Sequence, residues 1–107
     1  MKMLNYRNGE TIVEVIDRGK LALGYDLVVM YRILRYVREY PGAKISDIQA
    51  ATKTSYATLS KYIDFLEEKG LIESKGRKPR LIYITKKGID YLFLISQIER
   101  LLGVKVG

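Results

Sequence analysis

The 107-residue chain contains no cysteine and no histidine. That excludes thiolate chemistry, an imidazole general base, a zinc-finger ligand set and a disulfide framework. Metal or nucleophilic chemistry would have to be assembled from scattered carboxylates and hydroxyls. Long apolar runs are missing too: the most apolar stretch, Tyr91 to Ile95, falls far short of the ~20 residues that cross a bilayer. The opening MKMLNYRNGE is too polar for a secretory signal, so the sequence predicts a cytoplasmic protein with no membrane partner. There is no repeat, no low-complexity tract and no linker-like segment.

What is present is a globular balance, 48% hydrophobic and 29% charged, on a length that suits one modest core. The net charge is +7, from 19 Lys+Arg against 12 Asp+Glu, and the pI is near 9.6. A basic surface of this kind favours an anionic partner, nucleic acid ahead of membrane. The charge is unevenly placed. From Lys75 to Lys87 there are six cations and no acid, so this short segment carries +6 of the +7. At its start stands KGRKPR, in which Lys75, Arg77, Lys78 and Arg80 surround Gly76 and Pro79.

Residues 1–24 form an arm whose Asn8-Gly9 favours a hairpin turn, although Ile12, Val13 and Ile16 equally suit a short helix. From Asp26, a helix-capping residue type, Leu27, Met30, Ile33, Leu34 and Val37 recur at helical spacing up to the stop at Pro41-Gly42. A short helix capped by Ser46 follows, burying Ile45, Ile48 and Ala51. After a turn at Lys53-Thr54 comes a third helix, from about Ser55 to Lys69, closed by Gly70. Its inner stripe is Leu59, Ile63 and Leu66; Tyr56, Thr58, Lys61 and Tyr62 take the outer face. Two β-type runs, LIES and RLIYIT, flank KGRKPR and make it the exposed tip of an antiparallel hairpin. Thr85 then caps a last helix running to about Leu102, before Gly103. The fold class is mainly α with a small antiparallel hairpin (α+β). A helix-turn-helix followed by a hairpin is the winged-helix arrangement, here over residues 25–85, with residues 86–107 as a C-terminal helix.

The stretch ATLSKYIDFLEEKGLIES, from Ala57 to Ser74, resembles the recognition-helix and first wing-strand signature of winged-helix DNA-binding proteins of the multiple-antibiotic-resistance repressor type. GLIESKGRKPRLIYITKKGIDYL resembles a branch of archaeal winged-helix proteins in which YxIT, a cation and KG open a C-terminal dimerisation helix. The likeness covers roughly Asp26 to Leu102 and is specific for fold more than for biological role. It implies double-stranded DNA as partner, with Ser55, Tyr56, Thr58, Lys61 and Tyr62 entering the major groove. Arg77, Lys78 and Arg80 would reach the neighbouring backbone or minor groove, with Lys75 at the base of the wing. Relatives often carry Arg where this chain has Lys61, and Lys lacks the planar two-bond contact that Arg makes to guanine. Base reading would then lean on Thr58, Tyr56 and DNA shape.

Bland readings stand beside these. A basic hairpin tip also serves as a solvated edge that resists aggregation, and Tyr56 or Tyr62 would serve equally by packing against the first helix. In the last helix Ile89, Leu92 and Leu94 suit the domain core. Tyr91, Ile95, Ile98 and Leu102, with Leu101 beside them, form a further stripe that a homodimer would bury, unless the arm covers it in a monomer. Asp64, Glu67 and Glu68 are the one acidic cluster and read as a solvated face, so no enzyme, metal or cofactor is expected. A small-molecule effector between dimer halves stays compatible with the sequence. The functional classes are a DNA-binding regulator, a low-selectivity architectural DNA-binding protein and a winged-helix protein-interaction module.

Overall fold

The computed structural model describes residues 24–106. The N-terminal arm therefore lies, but for Gly24, outside the described residues. Helix α1 spans Leu27–Glu39 and buries Met30, Tyr31, Ile33, Leu34 and Val37 along one face. Its start is fixed as the sequence suggests: Asp26 Oδ1 accepts from the Val28 and Val29 N–H groups at 2.7 and 3.2 Å.

A two-residue strand β1 (Ala43–Lys44) runs directly into helix α2 (Ile45–Thr52). The expected cap at Ser46 is displaced to Lys44. Lys44 is held in β1 by pairing with Leu81, and its N–H donates to Asp47 Oδ2 at 3.1 Å, so the helix begins before Ser46 is reached. The chain turns at Lys53, whose φ of +55° is left-handed, and whose N–H donates to the Gln49 carbonyl. Ser55 Oγ then accepts from the Thr58 N–H and opens helix α3 (Tyr56–Glu68). At the other end Gly70, with φ +81°, donates to the Glu67 carbonyl while Leu71 donates to that of Leu66. This is the two-bond Schellman closure, which needs a left-handed residue where the glycine stands.

Strands β2 (Ile72–Lys75) and β3 (Leu81–Ile84) pair antiparallel, Ile72 opposite Ile84 and Lys75 opposite Leu81. β1 adds to the far edge of β3, giving the order β1-β3-β2. The sequence reading has two strands here, because a two-residue strand after Pro41-Gly42 shows no alternation by which to recognise it. Helix α4 (Lys86–Leu102) starts at Thr85, whose Oγ1 accepts from Gly88 N–H and donates to the Gly70 carbonyl, and ends at left-handed Gly103.

The core is one cluster. Ile33, Leu34 and Val37 of α1 meet Ile48 of α2, Leu59, Ile63 and Leu66 of α3, Ile72 and Ile82 of the sheet, and Leu92 and Ile95 of α4. The phase of α4 differs from the expectation. Its inward row is Gly88, Leu92 and Ile95, while Ile89 and Leu94 are exposed. Gly88 dictates this, because a Cβ there would lie 2.3 Å from the Leu71 carbonyl oxygen, so the bare backbone must face the α3–β2 junction. Tyr91 is half-buried and donates its hydroxyl to the Leu27 carbonyl at 2.6 Å. Tyr91 and Ile95, expected on a free dimer face, therefore pack within the domain. Ile98, Leu101 and Leu102 remain exposed beside Phe93 and Leu94.

Candidate nucleic-acid interface

The α3 cap at Ser55 sets which residues of the helix look outward. Tyr56, Thr58 and Lys61 are all exposed in its N-terminal half, with Tyr56 59% accessible. Ser55 is exposed beside them, its hydroxyl engaged in the cap. Tyr62 does not join them. It stands three residues after Leu59 and four before Leu66, so helical geometry turns it inward. There it is buried, and its hydroxyl accepts from the Asp26 N–H at 2.9 Å. Tyr25 completes the cluster, edge-on to Tyr62 and stacked on Phe65 with centroids 4.0 Å apart. Three aromatic rings thus lock the start of α1 onto α3, the packing alternative that the sequence leaves open for Tyr62.

The wing divides its cations among different tasks. Arg77 and Lys78 are exposed at the tip. Gly76 allows the turn: its φ is +78°, and a Cβ would come within 2.8 Å of the Pro79 carbonyl oxygen. Lys75 lies over the Tyr83 ring, 5.3 Å from its centroid. Arg80, expected at the tip with the others, instead turns back onto α3 and pairs with Glu67, with a longer 3.5 Å contact to exposed Asp64. Glu67 holds a second wing residue as well, since its Oε2 accepts from the Ser74 hydroxyl at 2.7 Å. The Ser74 bond, aided by the Arg80 guanidinium, keeps the Glu67 carboxyl below the usual carboxylate range. Lys86 pairs with Asp90 one turn along α4, and Lys87 Nζ donates to the Lys69 carbonyl at the end of α3, where a cation suits the helix dipole. The run of six cations is therefore not one patch. Two point outward at the tip and the others have partners within the fold.

Tip and helix share a concavity. A groove of about 310 Å³ is lined by Lys44, Ile45 and Ser46 at the start of α2, Tyr56 at the start of α3, and Arg77 and Arg80 of the wing. Lys44 and Ser46 belong to it although neither is expected at the interface from the sequence, since only the strand-to-helix junction brings them opposite the wing. The first turn of α2 leaves backbone N–H groups without intrahelical partners, a donor set suited to phosphate oxygens. Groove, exposed helix face and cationic tip together fit an anionic polymer. A separate cleft of about 570 Å³ lies between the C-terminal parts of α1 and α2, lined by Arg32, Arg35, Tyr36, Tyr40 and Lys53 among others. Among the described residues no group of acidic side chains is arranged to hold a metal ion, and no helix is long and apolar enough to cross a membrane.

Several solved structures share the architecture. Sso10a-2, a DNA-binding protein from Sulfolobus solfataricus, is 22% identical, with 74% of this chain and 82% of that one covered at a TM-score of 0.63. MepR, a transcription regulator of the Staphylococcus aureus multidrug efflux pump MepA, is 23% identical over 70% of this chain, and the transcriptional regulator SlyA 26% over 84%, both at 0.63. The chain spans only 58% of the MepR chain and 64% of the SlyA chain. Comparison with curated proteins gives no match. A family profile described as winged helix-turn-helix matches residues 26–103, from the Asp26 cap to the Gly103 stop, and the chain belongs to that family.

Proposed function

We propose that this chain binds double-stranded DNA selectively as a homodimeric transcriptional regulator, with the N-terminal half of α3 in the major groove and the wing tip on the adjacent backbone or minor groove. The observation that carries this reading is the groove that joins Tyr56 at the start of α3 to Arg77 of the wing, with Thr58 and Lys61 of the same helix half and Lys78 of the tip exposed. Duplex DNA carries one charge per ~1.7 Å, and each cation brought to a phosphate releases condensed counterions, so the tip supplies affinity. The small Thr58 and the long Lys61 supply contacts to base edges. The described relatives support the reading, one being a DNA-binding protein and two transcription regulators. The protein would act in the cytoplasm, at the nucleoid, without an enzymatic step or a cofactor.

Lys at position 61, in place of the bidentate Arg, favours one second reading, a DNA-coating protein of low selectivity. Fluorescence anisotropy separates the two. The chain is titrated across salt with a random duplex of about 30 base pairs and with sites selected from genomic fragments. A selected site favoured by ~1,000-fold or more identifies a regulator, and equal binding identifies a coating protein. No binding at low salt rejects both and leaves a protein-interaction module.

A further inference from the structure

We infer that Glu67 is a positioning residue for DNA recognition: by holding Ser74 of β2 and Arg80 at the entry to β3 on its two carboxylate oxygens, it fixes the wing at one angle to α3. The inference rests on the DNA-binding reading above and adds a residue that does not itself touch DNA. Glu67 lies six residues beyond Lys61, about 9 Å further along the helix axis, away from the groove-facing half of α3. Ile72, at the base of the hairpin, and Ile82, opposite Ser74, are buried and hold the inner side of the sheet. β1 pairs with β3 as far as Leu81, but β2 is an edge strand and Arg80 stands outside the ladder, beside the tip. One carboxylate there grips both strands, so the hairpin cannot swing or twist about its base without breaking a bond. The site is half sheltered, with the Arg80 side chain 27% and that of Glu67 38% accessible, whereas Asp64 at 70% is open to screening.

Charge alone predicts the opposite role. An acid beside a cationic wing repels phosphate, and its removal would free Arg80 and strengthen binding to any duplex. Positioning predicts that removal weakens selective binding, because the tip and the helix no longer meet the two grooves at a fixed separation. The sign of the effect therefore separates the two explanations.

The absence of cysteine makes the geometry measurable without DNA. Spin labels on Lys61→Cys and Lys78→Cys report the distance from helix to tip. A narrow distribution is expected in the parent, a broadened or shifted one in Glu67→Ala, and restoration in Glu67→Gln, whose amide oxygen can accept from Arg80 while its NH2 group donates to the Ser74 hydroxyl. An unchanged distribution in Glu67→Ala overturns the inference. In unlabelled protein, Glu67→Ala should bind a selected site about tenfold more weakly while random-duplex affinity changes less than about threefold, and Glu67→Gln should stay near the parent. Tighter binding of Glu67→Ala to both duplexes makes Glu67 a mere counter-charge and overturns the inference. Should the alanine variant lose its helical signal, Ser74→Ala removes one arm of the clasp and carries the same expectation at smaller size. If the parent binds no duplex while the label distance still responds, the DNA-binding reading fails and takes the recognition role with it; the clasp then stands as wing geometry alone.

Discussion

Gly88 shows how a single position can reverse a general preference. In the first turn of a helix, Gly→Ala ordinarily stabilises by up to about 1 kcal/mol. Here the added methyl would meet the Leu71 carbonyl oxygen at 2.3 Å and Ile84 Cγ1 at 2.6 Å. That carbonyl also accepts from the Thr85 N–H, so it cannot retreat without loosening the start of α4. Gly88→Ala is therefore expected to destabilise by about 1–3 kcal/mol, read from the urea midpoint; a stabilised variant would mean that α4 does not sit this close to the α3–β2 junction. Tyr91 offers a pH test. Burial, with the Asp26 carboxylate and Tyr62 adding to it, pushes its phenol well above the ordinary value near 10. A raised folded-state value means that the stabilising contribution is whole below about pH 10 and is lost as pH rises beyond it. Tyr91→Phe should cost about 1 kcal/mol at pH 8, through the lost bond to the Leu27 carbonyl, and should lose less on going to pH 11 than the parent does. Equal losses in the two proteins would show that the phenol does not drive the alkaline decline.

At the scale of elements, α3 and the wing carry different parts of the proposed interface, and variants should separate them. Arg77→Ala with Lys78→Ala should weaken binding to every duplex alike and reduce the salt slope by about two contacts. Arg80→Ala should change the slope little, because Arg80 is already paired with Glu67. A slope reduced as much by Arg80→Ala as by a tip residue would mean that Arg80 leaves Glu67 for phosphate. Tyr62→Phe should lower stability by about 1 kcal/mol, through the unsatisfied Asp26 N–H, and leave DNA affinity unchanged. These distinctions mark the limit of what the sequence discloses. Capping signals at Asp26, Ser55, Thr85 and Gly103 fix element ends through local chemistry, so α1, α3 and α4 are legible. The wing is legible through its glycine, its proline and the flanking β-type runs. Partnerships are not. That Arg80 turns inward, that Tyr62 reaches the start of α1 and that Glu67 serves two strands all follow from tertiary juxtaposition, to which composition and spacing are blind. β1 is hidden for the same reason, since its pairing with β3 is its only sign.

At the scale of the whole molecule, α4 exposes more apolar surface than the described core covers. Scattered surface apolar residues need no explanation, but Phe93, Leu94, Ile98, Leu101 and Leu102 follow one another along a single helix, and Leu101 is 84% accessible. Gly88, Leu92 and Ile95 already satisfy the domain core, so this row is surplus to it. A second copy meeting it through a two-fold axis would bury both rows at once and present two α3 helices and two wings to half-sites one helical turn apart, or a multiple of that. The expectation is a dimer by light scattering at tens of micromolar. Leu94→Lys with Leu101→Lys should convert it to a monomer while leaving the fold intact, because both side chains are exposed in the single chain. Loss of pairing should then cost on the order of 100-fold in affinity for a two-half-site duplex and little for a single half-site, since the second contact would no longer be intramolecular. A parent protein of monomer mass would remove the dimer from the proposed function. Equal affinity of the parent for one and two half-sites would leave a dimer that does not use its symmetry on DNA, and selectivity would then have to come from one α3 face and one wing.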